Sequence, residues 1–119
     1  MAEHNDFGKL AEDEAVNYLK RKAYRIAFRN YRYGKAEIDI LAFDNEVLVV
    51  IEVKARSTGY FGDPEQFVSK RKIQFLINAV NKYVEQNNLD VEIRFDIIAI
   101  LKQKDGLVVN HIEDAFYFF

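Results

Sequence analysis

The chain has no cysteine, a single proline, and no apolar run that approaches the length needed to cross a membrane. Without cysteine there is no disulfide framework and no thiolate metal site, which fits a reducing compartment. The opening stretch MAEHNDFGKLAEDEAV lacks the basic and continuous apolar regions of a secretory signal, so a soluble, cytoplasmic protein is expected. An excess of charge of either sign is also missing: 17 Lys and Arg against 19 Asp and Glu give a formal charge of -2. That removes a global attraction to nucleic acid but not a local basic patch, because a net value averages over faces. Half of the 119 residues are hydrophobic, enough for one domain over residues 1–119 that buries about two-thirds of its unfolded surface without staples.

What is present is periodic. Asn5 or Asp6 can cap a helix in which Phe7, Leu10, Ala11, Ala15, Tyr18 and Leu19 recur at helical spacing, with Lys20, Arg21 and Lys22 where cations suit the dipole. The spacing predicts a first helix over residues 6–22. YRIAFRNYR, AEIDILAF and VLVVIEVKA read as three strands, the last two a hairpin turning at DNE. Asp63 as N-cap, Pro64 at the first helical position and Gln66 closing a capping box predict a second helix over residues 63–87, with Ile73, Leu76, Ile77, Val80 and Val84 as its stripe. VEIRFDIIAIL and LVVNHI, separated by KQKDG, read as the last two strands. The order αβββαβ with a terminal strand defines an α/β class. A helical crossover between apolar strands implies a mixed central sheet flanked by helices, with residues 47–54 parallel to 95–101.

The stretch VLVVIEVKARS sets Glu52 and Lys54 two positions apart, on one face of a strand that is apolar on both faces and therefore central. Charge buried at the end of such a strand is costly unless a partner, a metal or water accounts for it. Glu37 and Asp39 share a face one strand earlier, and pairing across DNE brings Asp39 near the register of Glu52. Two carboxylates that meet there suit magnesium, which takes octahedral oxygen coordination and keeps much of its hydration, and manganese can substitute. A lysine beside them can orient or deprotonate a nucleophile and stabilise charge on a phosphate. On a solvated edge strand the same Glu-x-Lys would be a surface ion pair worth under about 1 kcal/mol. The apolar flanks argue for the metal site.

Asp39, twelve intervening residues and Glu52-x-Lys54, carried on helix, three strands, helix and strand, resemble the PD-(D/E)xK nuclease superfamily. The segment AEIDILAFDNEVLVVIEVKARS, with FGKLAEDEAVNYL before it and YFGDPEQFVSKRK and RFDIIAI after it, is similar to the small bacterial YraN-like family of predicted endonucleases, related to archaeal Holliday junction resolvases. Ala36 stands where that family usually has glycine, and the proline that the superfamily pattern names before the aspartate is absent. The resemblance implies a restriction-endonuclease-like core and a magnesium-dependent endonuclease. Such an enzyme hydrolyses phosphodiester bonds of nucleic acid, here DNA and in particular branched or junction DNA of repair and recombination. Asp39 and Glu52 would be metal ligands and Lys54 the catalytic lysine. The resemblance also implies that Glu12, four residues after Gly8, serves the metal. The helix wheel alone leaves Glu12 and Glu14 equivalent, at the two margins of the buried arc. Resolvase kinship points to a homodimer, because paired incisions need paired sites. The alternative is a non-catalytic nucleic-acid-binding or repair-partner module on the same fold.

Asp96, in FDIIA, echoes IDILA but follows the Glu-x-Lys across the second helix. It is expected to be a strand-start carboxylate paired to Arg94 or a backbone amide, outside the site. Arg56, Ser57, Lys70, Arg71 and Lys72 follow the charged strand or open the second helix. They are solvated surface positions or phosphate contacts beside the metal. We expect Arg56, Lys70, Arg71 and Lys72 to bind nucleic acid, and the resemblance gives Lys72 the greatest weight. Basic residues over 20–35, interleaved with Tyr24, Phe28, Tyr31 and Tyr33, can track a backbone and stack bases, or serve as core and rim. His4 and His111 are too isolated for a zinc site.

Overall fold

The computed structural model describes residues 2–57 and 69–115. Helix α1 (Ala2–Arg21) precedes strands β1 (Arg25–Tyr33), β2 (Ala36–Asp44) and β3 (Val47–Arg56), then helix α2 (Lys70–Gln86) and strands β4 (Glu92–Gln103) and β5 (Gly106–Ile112). The strands form one sheet in the order β1-β2-β3-β4-β5. All neighbours are antiparallel except β3 and β4, which run parallel with Val47 opposite Glu92 and Arg56 opposite Leu101. This is the expected α/β arrangement, a mixed sheet flanked by helices and consistent with a restriction-endonuclease-like core.

Leu48, Val49, Val50 and Ile51 are all fully buried because β3 is the central strand and a helix covers each face. On one face α1 sets Ala11, Ala15 and Leu19 against Ile40, Val49, Ile51 and Ile98. On the other, α2 sets Leu76, Ala79 and Val80 against Leu41, Leu48, Val50 and Ile97. Each large aliphatic side chain so buried contributes about 1.5–3 kcal/mol, and the alanines let the helix axes approach the sheet closely. The β2–β3 hairpin turns through Asn45 at φ 56°, a left-handed conformation that asparagine tolerates better than most residues.

Three expectations need correction. Helix α1 starts at Ala2, ahead of Asn5 and Asp6, so neither caps it. A lone cap is worth about 1 kcal/mol and does not force a helix to begin where the residue occurs. Leu10 is 52% exposed and lies off the packed stripe, where Val16 is buried instead. The capping signal at Asp63, Pro64 and Gln66 lies outside the described residues, but the helix that carries the apolar stripe starts at Lys70. Ser69 is extended (φ -73°, ψ 161°) and its Oγ accepts the Lys72 N–H at 3.1 Å, so Ser69 is the N-cap of α2. Among the described residues no helix is long and apolar enough to cross a membrane.

Candidate functional site

β2 and β3 stay paired from Asp44 and Val47 up to Ile40 and Ile51, where the ladder ends, leaving Asp39 and Glu52 next in register. The alternation of β2 also slips there: Ile38 and Leu41 pack under α2, whereas Ile40 packs under α1. Opposite this slip, β1 carries Asn30 in a left-handed conformation (φ 57°). The Val53 N–H donates to Asp39 Oδ2 at 2.8 Å, so a carboxylate completes a rung where the backbone ladder has stopped. Burial, then the neighbouring Glu52 carboxylate, push the Asp39 carboxyl up to about 7.

Glu52 is 2% exposed. By alternation along β3 it faces α2 together with Lys54, while Ile51 and Val53 face α1. Lys72, in the first turn of α2, places Nζ 2.9 Å from Glu52 Oε1. Among the described residues the other oxygen, Glu52 Oε2, is buried with no hydrogen-bond partner. Burial and the Lys72 charge push the Lys54 ammonium below its ordinary range. Burial acts the same way on Lys72, but Glu52 and a hydrogen bond with Lys54 more than offset it and hold Lys72 above its ordinary range. Of two amines in contact, Lys72 is thus held above and Lys54 below the ordinary lysine range.

Asp39 and Glu52 therefore converge as the sequence suggests, and Lys54 lies beside them. Glu12 is within electrostatic reach of Asp39 and raises its carboxyl further, but Glu12 Oε1 already accepts from Arg29 Nη2 at 2.7 Å and Asn30 Nδ2 at 3.1 Å. Glu14 is turned away, 3.3 Å from Arg21 on the surface. Among the described residues no three His, Cys, Asp or Glu side chains stand close enough together to hold a metal ion between them. The donors that could take one are the two carboxylates of Asp39 and Glu52. A buried carboxylate oxygen without a donor among the described residues, next to a second carboxyl that burial and the first carboxylate make harder to ionise, fits a small hard cation that completes its shell with backbone oxygen and water.

A family model described as Uncharacterised protein family UPF0102 matches residues 11–100, the span from the packed part of α1 through β4. The chain belongs to this family. A UPF0102 protein of Christiangramia forsetii is 56% identical over the whole of both chains, and one of Flavobacterium psychrophilum 53% identical over the whole of both. A third, from Phocaeicola vulgatus, is 45% identical over 98% of this chain and 97% of its own.

The remaining basic residues of this UPF0102 chain divide by environment. Lys70 and Arg71 are exposed at the start of α2, the Arg71 guanidinium 5.6 Å from the Phe75 ring centre. Arg56 donates to the Ala55 carbonyl at 2.9 Å. A cleft of about 270 Å³ opens between the start of β2 and the first turns of α2, bordered by Lys35, Arg71 and Lys72. Sequence reasoning weighted Lys72 as a phosphate contact and missed both its bond to Glu52 and the cleft. Ser69 as N-cap would have been the signal, since it fixes which residues form the first turn. In the basic and aromatic segment Tyr24 is core, Tyr31 packs edge-on against Tyr83, and Phe28 is exposed.

Asp96 is outside the site, as expected, and is fully buried. Arg94 grips it through Nε–Oδ1 and Nη2–Oδ2, both 2.9 Å, and the Asp114 N–H donates to it at 3.0 Å. His111 Nε2 lies 2.7 Å from Asp96, and Tyr18 closes the chain on His111 Nδ1 at 3.0 Å. Burial pushes the Asp96 carboxyl up, but the bonds from His111, Arg94 and the amide outweigh it and hold the group below the usual carboxylate range.

Proposed function

We propose that the chain is a magnesium-dependent nuclease that hydrolyses phosphodiester bonds of nucleic acid, DNA in the first instance, with Asp39, Glu52 and Lys54 as its catalytic set. The observation that carries this reading is the Glu52 carboxylate, 2% exposed, with one oxygen lacking any partner among the described residues and the other held by Lys72. A protein that needed only a structural ion pair would leave no orphan acceptor, because a buried acceptor without a donor costs about 1–3 kcal/mol.

A divalent cation, when bound, supplies a Lewis acid for the phosphate oxygens and for the attacking water. The chain's own residues do the rest. Asp39 and Glu52 present one oxygen face from two strands that have parted. Lys54, beside the carboxylates and with its ammonium held below the ordinary lysine range by burial and by Lys72, is placed to orient the attacking water. As water attacks phosphorus its proton passes to solvent, the P–O bond to the leaving oxygen breaks, and that oxygen takes a proton from solvent. Lys72 keeps its charge and lies where a phosphate would approach. Glu12, moored by Arg29, adds negative potential behind the pair.

The test is incubation of the purified protein with linear, flapped, single-stranded and four-way-junction DNA and RNA, with magnesium, manganese or chelator. Cleavage that chelator abolishes and Lys54→Met removes supports the enzyme. Binding without cleavage, in every metal, replaces it by a nucleic-acid-binding or repair-partner module.

A further inference from the structure

We propose that the cleft beside Lys72 is a subsite for one unpaired nucleotide adjoining the scissile phosphate, so that the substrate is single-stranded or frayed at the cut rather than continuous duplex. This rests on the nuclease reading and adds to it the form of the substrate. Among the described residues the cleft lies over the core residues Ala36 and Leu76, with Phe75 lining its side. Its rim is cationic: Lys35 from the β1–β2 turn, and Arg71 and Lys72 from α2. Glu37, the one carboxylate among the described lining residues, is 3.2 Å from Arg32 and partly neutralised by it. An aromatic face on an apolar floor takes a base, and a cationic rim takes the phosphate that follows it. The Arg71 guanidinium lies over Phe75, so a base that enters can stack on the guanidinium plane or take its place on the ring, and the displaced guanidinium is then a planar phosphate donor.

Size limits the occupant. About 270 Å³ lies just below the roughly 300–1,000 Å³ of pockets that hold drug-sized ligands, which limits the occupant to a single nucleotide at most. A paired duplex, with a major groove alone about 12 Å wide, stays outside. Position supplies the link to chemistry. Lys72 forms one wall of the cleft and touches Glu52 at 2.9 Å, so a nucleotide seated there delivers its neighbouring phosphate to the Asp39–Glu52 carboxylates. The cleft is also a concentration of positive charge on a chain whose net charge is -2, so its field is local and directional.

The experiment is binding in chelator, where no cutting occurs, of a short DNA strand carrying 2-aminopurine, free or annealed to its complement. Stacking on Phe75 should quench the free strand, which should bind at least about tenfold more tightly than the duplex. Arg71→Gln, an exposed substitution, should weaken strand binding about tenfold; Phe75→Leu, which keeps an apolar side chain beside Leu76, should abolish the quench. Equal affinity for strand and duplex, or a quench that survives both substitutions in folded protein, overturns the subsite. Nucleoside monophosphate that binds as tightly as the strand, or inorganic phosphate that displaces the strand at equal concentration, overturns it too. The two readings fail separately. Duplex cleavage without strand preference removes the subsite and leaves the nuclease, whereas a Phe75-dependent quench with no cleavage of any substrate removes the nuclease and leaves a nucleotide site.

Discussion

Asp39 carries a stability cost whose sign can be worked out. Its carboxyl is pushed up to about 7, so between the unfolded value near 4 and about 7 the native state holds a proton that the unfolded chain has released. Stability therefore falls as pH rises through that window, and the full cost is present above it. Asp39→Asn keeps an oxygen for the Val53 N–H and removes the charge. In chelator it should melt higher than the parent at pH 8, by on the order of 2 kcal/mol, and match it near pH 4; magnesium should raise the parent's melting temperature and not the variant's. A melting temperature unaffected by the substitution at pH 8 would refute this account. The two lysines should also separate. Glu52 is bonded to Lys72 rather than to Lys54, so Lys54→Met should stay folded and lose cleavage, whereas Lys72→Met leaves a buried carboxylate bare and should cost about 3 kcal/mol in chelator, recovered in part by magnesium. The convergence of Asp39, Glu52 and Lys54 could be read from the sequence because a strand repeats every two residues and a hairpin fixes register. The Lys72–Glu52 bond could not, since it spans a connection whose length says nothing about where the next helix turn lands.

Between elements, the Asp96 network ties the sheet to α1. Arg94 binds Asp96 on its own strand and reaches Asp44 of β2 at 3.1 Å and the Tyr24 hydroxyl at 2.8 Å, while His111 brings in β5 and Tyr18 of α1. Asp96→Asn leaves Arg94 and His111 facing a neutral amide and should cost about 3–5 kcal/mol, more than any change at an exposed carboxylate, as chemical denaturation would show. The pH sign is opposite to that of Asp39. A carboxyl held below its usual range contributes stability that is complete above about pH 4 and disappears on acidification, so the parent should lose cooperativity in acid while the variant, already weakened, changes less. The Arg94 partner was legible two residues away on one strand face. His111 was not, because its approach depends on the β4–β5 register, in which it lies opposite Ile98. The Asp63 cap lies outside the described residues; what the sequence did not reveal is that Ser69, with the same capping chemistry, opens the turn of α2 that packs against β2 and β4.

For the whole molecule, the parallel β3–β4 pair and the helix on each face follow from apolar patterning, but the electrostatic outcome does not follow from composition. If Lys35, Arg71 and Lys72 carry nucleic-acid binding, affinity should fall with salt along a slope of about -2 in logarithmic terms for a single strand, despite the acidic net charge, and Lys72→Ala should make it shallower by at most about one unit. A flat salt response would move binding to another face. The sheet also has two unequal margins. β1 breaks register between Ile26 and Phe28, carries Asn30 in a left-handed turn, and bears Arg25, Arg29 and Arg32. A kinked and charged border resists addition of a foreign strand. β5 shows no register break against β4 and exposes Val108 at 44%. β1 also exposes Phe28 and Tyr33, but its break in register leaves β5 the more regular edge among the described residues. Self-assembly of concentrated protein through its backbone should therefore start more readily at β5, and Val108→Lys should delay aggregation on mild warming, followed by light scattering, without lowering the melting temperature. The two flanks would thus differ in how readily each accepts a further strand.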